Sequence, residues 1–279
     1  MKYLFFDIDG TLVSHGKSVT KRNSEALKKA RENGHKVYLC TGRAPVSISQ
    51  EIRKIGFDGI ISSAGGFVEV DGEYIYKNAI DKNILAQVLL LFTNQKIMYS
   101  LETQMALYQS PGIKDFFEHL MIKKHGQGNH ELSRLLQERE NEEIRYPISQ
   151  FDINTIPVTK VVFLSNDRIA FLDCVKYLAP YFNIVIFSDP EDEIINGEII
   201  LKDCTKGNGM AKILEYVGGN IDDTIAYGDS MNDYEMIQDA NMGVVSKSGA
   251  LKLKAIADDF FEEPDQDGIA KHLEKIGII

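Results

Sequence analysis

The chain has 279 residues and a formal charge of −10, with 41 acidic against 31 basic side chains. The acidic excess argues against a nucleic-acid partner, because phosphate backbones are bound by basic patches. The apolar runs are far shorter than the roughly 20 residues that span a bilayer, so no membrane span is expected. The N-terminal apolar run is short and ends at Asp7, so no signal peptide is expected either.

The cysteines are few and scattered, at Cys40, Cys174 and Cys204, and no CxxC spacing occurs. This usage is typical of free thiols in a reducing compartment, which predicts a cytoplasmic location.

The first eighty residues alternate strand and helix patterns. The predicted elements are a strand at Tyr3–Ile8, a helix at Thr20–Asn33, a strand at Lys36–Cys40, a helix at Val46–Ile55, a strand at Gly59–Ser62 and a hairpin over Phe67–Tyr76. Asp71-Gly72 is a typical hairpin turn. Strands separated by helices predict right-handed βαβ units and a parallel sheet.

The middle of the chain has a different pattern, typical of an α+β insertion of about 110–120 residues. Its predicted elements are a helix at Ile84–Thr93, strands at Ile97–Leu101 and Met105–Tyr108, a polar and mostly helical segment at Pro111–Arg145 broken at Gly126–Gly128, a strand at Lys160–Leu164, a helix at Asp167–Leu178, a strand at Ile184–Phe187 and a turn at Asn196-Gly197 between two short strands.

The alternating pattern then resumes. Its predicted elements are a helix at Gly207–Tyr216, a strand at Thr224–Tyr227, a helix at Asn232–Gln238, a strand at Met242–Val245 and helices at Ala250–Ala257 and Ile269–Lys275, with the acidic run 258–263 as a solvated face. The simplest account is one α/β domain, 1–81 and 202–279, interrupted by a second domain, 82–201.

Two carboxylates, Asp7 and Asp9, lie at the end of the first predicted strand, in the sequence Asp7-Ile8-Asp9-Gly10-Thr11. In an open α/β sheet, ligands bind at the carboxyl ends of the strands. Side chains alternate along an extended backbone, so Asp7 and Asp9 can point the same way and would repel each other without a cation or a shared proton. Oxygen ligands with no neighbouring His or Cys favour Mg²⁺.

A second acidic cluster, Gly228-Asp229-Ser230-Met231-Asn232-Asp233, follows the predicted strand Thr224–Tyr227. The next predicted helix begins there, and a helix N-terminus offers free N–H groups to anions. Taken alone, the cluster is equally compatible with an ordinary N-cap.

Two shorter motifs complete the pattern: Cys40-Thr41-Gly42-Arg43 after the second strand, and Thr205-Lys206-Gly207 at the start of a helix. Each alone is compatible with a plain turn or a surface charge. A parallel sheet would bring all four clusters to one edge, where they supply carboxylates for a metal, a hydroxyl and a cation. This set suits phosphoryl transfer, and without a GxxxxGK[ST] sequence it does not suit a P-loop nucleotide hydrolase.

In their order and spacing, these motifs resemble those of the haloacid dehalogenase (HAD) superfamily, in its Cof-type branch, subclass IIB. The resemblance implies an α/β fold, with a Rossmann-like parallel-sheet core and an inserted α/β cap domain. One departure lies after the third strand, where the family usually has Asn-Gly-Ala and this chain has Ala64-Gly65-Gly66. The polar contact of that asparagine is therefore expected to be absent.

The resemblance also implies a role for each matching residue. Asp7 is the expected nucleophile that forms an aspartyl phosphate, and Asp9 the expected acid and base. Mg²⁺ is expected on Asp7, the backbone carbonyl of Asp9, and Asp229. The remaining roles are support of Lys206 or a metal-bound water by Asp233, and phosphate binding by Thr41, Lys206, Asn232 and the N–H groups of Ile8 and Gly42.

The leading interpretation is a Mg²⁺-dependent phosphatase acting on small phosphorylated metabolites, such as sugar phosphates, as a monomer or small homo-oligomer. The cap is expected to close over the site, with segment 110–146 influencing substrate choice. Three alternatives stay open: a phosphomutase with the same core and cap, a phospho-accepting signalling module, and a phosphate-binding module without turnover. Asp9 argues against the last, because binding alone does not need a second carboxylate.

Overall fold

The computed structural model describes residues 1–14, 17–113, 115–116, 143–188, 190–192 and 194–279. The chain divides into two compact units: Met1–Arg43, Ile48–Lys77 and Cys204–Ile279 form the first, and Ala44–Ser47 with Asn78–Asp203 form the second. The domain boundaries predicted from the sequence, at 81/82 and 201/202, differ from these by a few residues.

The first unit is built on a sheet whose strands are β1 (Tyr3–Phe6), β2 (Lys36–Cys40), β3 (Gly59–Ser62), β4 (Phe67–Val70), β5 (Glu73–Lys77), β12 (Thr224–Gly228), β13 (Met242–Ser246) and β14 (Asp259–Phe261). Their spatial order is β14-β13-β12-β1-β2-β3-β4-β5. Pairing is parallel from β14 to β3 and antiparallel for β4 and β5. β1 therefore lies at the centre, between strands from both ends of the chain.

The helices described in this unit are Lys21–Glu32, Gln50–Arg53, Lys206–Val217, Tyr234–Asp239, Leu251–Lys254 and Gly268–Lys275. β1 is buried on both faces: Leu4 and Phe6 belong to one apolar cluster, and Tyr3 and Phe5 to another. A strand covered on both faces is a continuous apolar run, which explains its sequence. The α/β class with a parallel sheet is confirmed.

The second unit contains a separate sheet with strands β6 (Met98–Glu102), β7 (Leu107–Gln109), β8 (Arg145–Pro147), β9 (Lys160–Ser165), β10 (Phe182–Ile186) and β11 (Ile195–Leu201), in the spatial order β10-β11-β9-β6-β7-β8. Helices Lys82–Asn94 and Arg168–Leu178 share an apolar cluster with Leu101 and Val161 of the sheet. Glu102 and Lys160, the neighbours of Leu101 and Val161 along their strands, are charged and do not belong to this cluster.

The predicted turn at Asn196-Gly197 is wrong. Both residues lie inside β11, where Gly197 pairs with Ile186 on one side and Phe163 on the other. A Cβ at Gly197 would lie 2.0 Å from the Val185 carbonyl oxygen. The glycine is needed for this close approach of strands and not for a turn.

The acidic run 258–263 is not simply a solvated face, because Asp259–Phe261 forms the edge strand β14. Phe261 is buried and packs in the core of the first unit. β8 was also not anticipated, because it begins at the end of the segment predicted to be helical. Both strands are three residues long, too short for alternation to show.

Several predicted helices are shorter in the structure. The helix expected at Val46–Ile55 is a 3₁₀ turn at Pro45–Ser47 followed by the helix Gln50–Arg53, which Ser49 caps through its hydroxyl. The helix expected at Ala250–Ala257 spans Leu251–Lys254. The Ser49 cap delays the start of the first helix, and both helices end a few residues before the predicted position.

The predicted helical segment 111–145, its glycine break and the proposed selector segment 110–146 fall mostly on residues 117–142, which lie outside the described residues. Among the residues that are described, none belongs to a helix long and apolar enough to cross a bilayer.

Candidate active site

The site begins where β1 ends. The Asp7 N–H group still donates to the Tyr227 carbonyl oxygen, at 3.0 Å, but the Ile8 carbonyl accepts hydrogen bonds from the turn at residues 11–13. Gly10 reverses the chain with a φ of 92°, and a Cβ there would lie 2.2 Å from an Asp229 carboxylate oxygen. Glycine at this position therefore lets the Asp229 carboxylate approach the first motif.

Lys206 lies at the centre of the site, fully buried at the start of its helix. Its Nζ atom donates to Asp7 Oδ1 at 2.5 Å, to Asp233 Oδ1 at 2.6 Å and to Asn232 Oδ1 at 3.2 Å. Three segments that are far apart in sequence therefore meet at one ammonium group. The parallel strands β1 and β12 are neighbours, which brings their carboxyl ends together as predicted.

Burial and charge act against each other in this group. Burial raises the pKa of the Asp7 carboxyl well above its usual value, and attraction to Lys206 offsets only part of that shift. Burial alone would lower the pKa of Lys206, but the carboxylates of Asp233 and Asp7 more than compensate and raise it. The lysine is thus held as a cation between two carboxyl groups.

Asp233 uses both of its oxygens. Oδ1 accepts from Lys206, while Oδ2 accepts from the N–H groups of Asp229, at 3.0 Å, and Ser230, at 3.1 Å. This arrangement is a capping box at the start of the 3₁₀ turn Met231–Asp233. Asp233 therefore shapes the loop that carries Asp229 while it also fixes Lys206, which is compatible with the supporting role predicted for it.

The donor set fits a divalent cation. Carboxylate oxygens of Asp7, Asp229 and Asp233 lie within 4.8 Å of one another. The Oδ1 atom of Asp229 is buried and has no hydrogen-bond partner. Burial, with the nearby charge of Asp233, raises the pKa of Asp229 to about 7. An unpartnered buried carboxylate oxygen among acidic neighbours is well suited to bind a cation, and the ligands are all hard oxygens.

The loop after β2 carries the predicted phosphate ligands Thr41 and Gly42. Thr41 is buried, and its hydroxyl oxygen accepts from the Arg43 N–H group at 3.1 Å. A Cβ at Gly42 would lie 3.6 Å from Nδ2 of Asn232, so the loop and the second acidic cluster are adjacent. Ile8, the other predicted backbone donor, is fully buried beside Asp7.

The loop after β3 supports the phosphate-ligand loop. The N–H groups of Ser63 and Ala64 donate to the carbonyls of Arg43 and Thr41, at 2.8 and 3.0 Å. Both residues have positive φ, 48° and 54°. This strain falls where the family usually has asparagine, a residue that tolerates the left-handed region better than alanine. The Ser63 hydroxyl is buried there without a hydrogen-bond partner.

Asp9 is placed differently from Asp7. Its side chain is about half exposed, and its two carboxylate oxygens accept from Nη2 and Nε of Arg43 at 2.6 and 2.8 Å. No role was predicted for Arg43 from the sequence. Its proximity could have been inferred from parallel pairing of β1 with β2, in which Phe6 lies opposite Leu39 and the two following loops run side by side.

The chain is similar to known proteins over nearly its full length. Residues 4–273 match the family described as haloacid dehalogenase-like hydrolase. The chain is 26% identical to phosphatase YwpJ of Bacillus subtilis, over 98% of this chain and 100% of that protein. It is 29% identical to the chloroplastic endoribonuclease YBEY of Arabidopsis thaliana, over 96% of this chain but 45% of that protein, so it spans less than half of that relative.

A solved structure with the same fold is the HAD subclass IIB sugar phosphatase BT4131, with a TM-score of 0.77, 24% identity and full coverage of both chains. The family match, the phosphatase relatives and the fold agree with the motifs brought together at Lys206. The chain therefore belongs to the haloacid dehalogenase-like hydrolases, in their Cof-type branch, and is a phosphatase.

Proposed function

We propose that the protein hydrolyses phosphate monoesters of small metabolites, with Mg²⁺ and through a phosphorylated Asp7. The observation that carries the proposal is the buried Lys206 bridge between Asp7 and Asp233, beside the unpartnered carboxylate oxygen of Asp229. A carboxylate suited to act as the nucleophile, a cation and a carboxylate oxygen suited to bind a metal thus lie at one sheet edge. Sugar phosphates are the first substrate class to test.

In the first step, an Asp7 carboxylate oxygen attacks phosphorus as the bond from phosphorus to the leaving oxygen breaks. The leaving alkoxide takes a proton from the Asp9 carboxyl group, so a neutral alcohol departs. Lys206 lies on the Asp7 carboxylate and on Asn232, which suits it to fix the nucleophile and to contact a phosphoryl oxygen.

In the second step, water attacks the phosphorus of phospho-Asp7. Asp9 removes a proton from that water, the acyl phosphate bond breaks, and Asp7 is released as a carboxylate with inorganic phosphate. Asp9 thereby returns to its protonated state, and the cycle balances. The Thr41 hydroxyl and the N–H groups of Ile8 and Gly42 are assigned to the phosphoryl oxygens.

The metal would be held by Asp7, Asp229 and the backbone carbonyl of Asp9, with Asp233 in support. When bound, Mg²⁺ would neutralise negative charge between the Asp7 carboxylate and the phosphate dianion. The raised pKa of Asp7 and Asp229 reflects buried carboxyl groups in excess over the one lysine. We also propose a cytoplasmic location, which the three free, buried cysteines support.

The decisive experiment measures phosphate release from a panel of phosphorylated metabolites, with Mg²⁺ and with EDTA. Asp7→Asn keeps the side-chain shape but removes the attacking charge, so release should fall to background. Asp58→Asn is the matched control, because Asp58 is a buried, ion-paired aspartate of the same unit, bound to Arg31 and Lys36. It should retain turnover when folded.

Near wild-type phosphate release by Asp7→Asn, with deamidation excluded by mass spectrometry, would refute the covalent route. Full activity in EDTA, or restoration by zinc and not by Mg²⁺, would refute the metal assignment. Phosphate transfer between sugars without release of inorganic phosphate would instead identify a mutase.

A further inference from the structure

Arg43 is the one charged residue of the four sequence motifs to which the proposed chemistry assigns no task. Its backbone is nevertheless hydrogen-bonded to the site through both the N–H group and the carbonyl group. Its N–H group donates to the Thr41 hydroxyl at 3.1 Å, and its carbonyl accepts from the Ser63 N–H group at 2.8 Å. Its side chain is largely buried, with 15% exposure, whereas that of Asp9 is 46% exposed. The arginine is therefore the better-fixed partner of the pair.

The contact between the two side chains is a fork. Nη2 of Arg43 donates to Oδ1 of Asp9 at 2.6 Å, and Nε donates to Oδ2 at 2.8 Å. Two parallel charge-assisted hydrogen bonds fix both the position and the plane of a carboxylate. A half-exposed aspartate without such a partner would sample several rotamers in solvent.

We propose that Arg43 is a positioning residue for Asp9, one that holds the Asp9 carboxyl group in line with the leaving-group oxygen. The inference rests on the proposed function, because it assumes that Asp9 protonates the leaving group. Proton transfer requires hydrogen-bond reach and alignment, and a small displacement of the acid is costly. One loop then carries both Thr41, which contacts the phosphoryl group, and Arg43, which positions the acid Asp9. The same backbone therefore fixes the positions of both side chains.

The test compares two substrates of nearly equal size, phenyl phosphate and p-nitrophenyl phosphate, in the presence of Mg²⁺. Phenolate is the poorer leaving group and needs the acid, whereas p-nitrophenolate departs with little help. The quantity measured is kcat/KM, because it reports the steps up to departure of the leaving group and not the later hydrolysis of phospho-Asp7.

Arg43→Lys keeps the charge but cannot form the fork. It should lower kcat/KM for phenyl phosphate by about tenfold, within the range of general acid catalysis, and change p-nitrophenyl phosphate much less. In an Asp9→Asn background it should cause no further loss. Arg31→Lys is the matched control, because Arg31 also binds an aspartate, Asp58, through Nε at 3.1 Å; its kinetics should match the wild type.

Equal losses on both substrates, additive with Asp9→Asn, would mean that Arg43 binds the phosphoryl group itself, and would overturn the inference. Unchanged kinetics in folded Arg43→Lys would overturn it as well. Failure of the proposed function gives a different result from failure of this inference. If Asp9 is not the general acid, Asp9→Asn alone lowers kcat/KM equally for both substrates, or for neither. Addition of guanidinium to Arg43→Ala should selectively restore phenyl phosphate hydrolysis, which a purely structural role would not produce.

Discussion

Among the residues that the structure describes, each unit has a lysine buried between two carboxylates, and the two clusters differ in the backbone that carries them. Lys160 lies 2.7 Å from Glu198 and 3.2 Å from Glu102, on three adjacent strands. Lys206 lies between Asp7 and Asp233, each of which follows the end of a strand. In the sheet, backbone pairing fixes all three charges, with Glu102 directly opposite Lys160 and Glu198 opposite Val162, two residues along. At the strand ends, turns place them.

The difference identifies which cluster is suited to a ligand. The Lys206 cluster holds a third carboxylate, Asp229, with an oxygen within 4.8 Å of oxygens of both Asp7 and Asp233. The Lys160 cluster is built within a continuous ladder, where charged groups serve the pairing of the strands. A buried ion pair is thus weak evidence of function, and an excess of buried carboxylate at strand ends is stronger evidence.

The largest effect should follow from Lys206→Met. It leaves Asp7 and Asp233 buried without their cation, which is expected to cost about 3–5 kcal/mol of the free energy of unfolding. It also removes a donor to the nucleophile, so kcat should fall by about 10³-fold. Denaturant titration and phosphate release measure the two effects separately. Retained turnover would show that the lysine serves stability alone.

Lys160→Met is the matched change in the second unit. A similar loss of about 3–5 kcal/mol in the free energy of unfolding is expected, because Glu102 and Glu198 lose their shared cation. Hydrolysis of acetyl phosphate, which has little leaving group to select, should stay close to the wild type when the protein is folded. A loss comparable to that of Lys206→Met would remove the distinction between the clusters.

Glu102→Gln tests the pH dependence of the second cluster. Burial raises the pKa of Glu102 to about 7, despite the attraction of Lys160. The native state therefore binds the proton of the Glu102 carboxyl group more tightly than the unfolded chain does. This protonation stabilises the native state at low pH, and the stabilisation is lost as the pH rises from the usual pKa of 4.5 to about 7. Relative to the wild type, Glu102→Gln should gain about 1–3 kcal/mol in the free energy of unfolding between pH 5 and pH 8.

Glu198→Gln is the control for that measurement. It removes the shorter contact to Lys160, 2.7 Å, and should destabilise the protein at both pH values. A parallel pH dependence in the two variants would contradict the assignment to Glu102.

The smallest effect is expected from Ser100→Ala, on the same strand as Glu102. The Ser100 hydroxyl is buried and has no hydrogen-bond partner. Removing an unpartnered buried hydroxyl should be neutral or stabilise the protein by about 1 kcal/mol, which thermal unfolding can measure. A clear loss of stability would mean that a bridging water satisfies this group and belongs to the cluster.

The sequence predicted the strands of the first unit well because they are buried on both faces and form continuous apolar runs, as in Tyr3–Phe6. The predictions were wrong where the position of a residue within the sheet determines its conformation. Gly197 appeared to be a turn residue, and only the neighbouring Val185 carbonyl explains it. The helix expected at Val46–Ile55 was predicted too long because the Ser49 cap, which starts the helix at Gln50, is not visible in the apolar spacing.

The site was predicted in part, because the order of the strands determines which motifs lie at the same edge of the sheet. The strand-end motifs indicated which residues the sheet edge gathers around Lys206, because topology alone brings them together. The fork between Arg43 and Asp9 depends on the register of β1 with β2, which composition does not reveal. The roles of the individual residues depend on chemistry that only the experiments above can measure.

The central position of β1 has a consequence for biosynthesis. One edge of β1 pairs with β2, but the other pairs with β12, whose first residue, Thr224, emerges from the ribosome more than 200 residues later. The second unit, complete at Asp203, is synthesised entirely within this interval. Until β12 arrives, β1 presents unpaired N–H and C=O groups along an apolar strand, a template for aggregation. Nascent chains arrested before Thr224 should therefore bind chaperones, and chains that have released β12 should not.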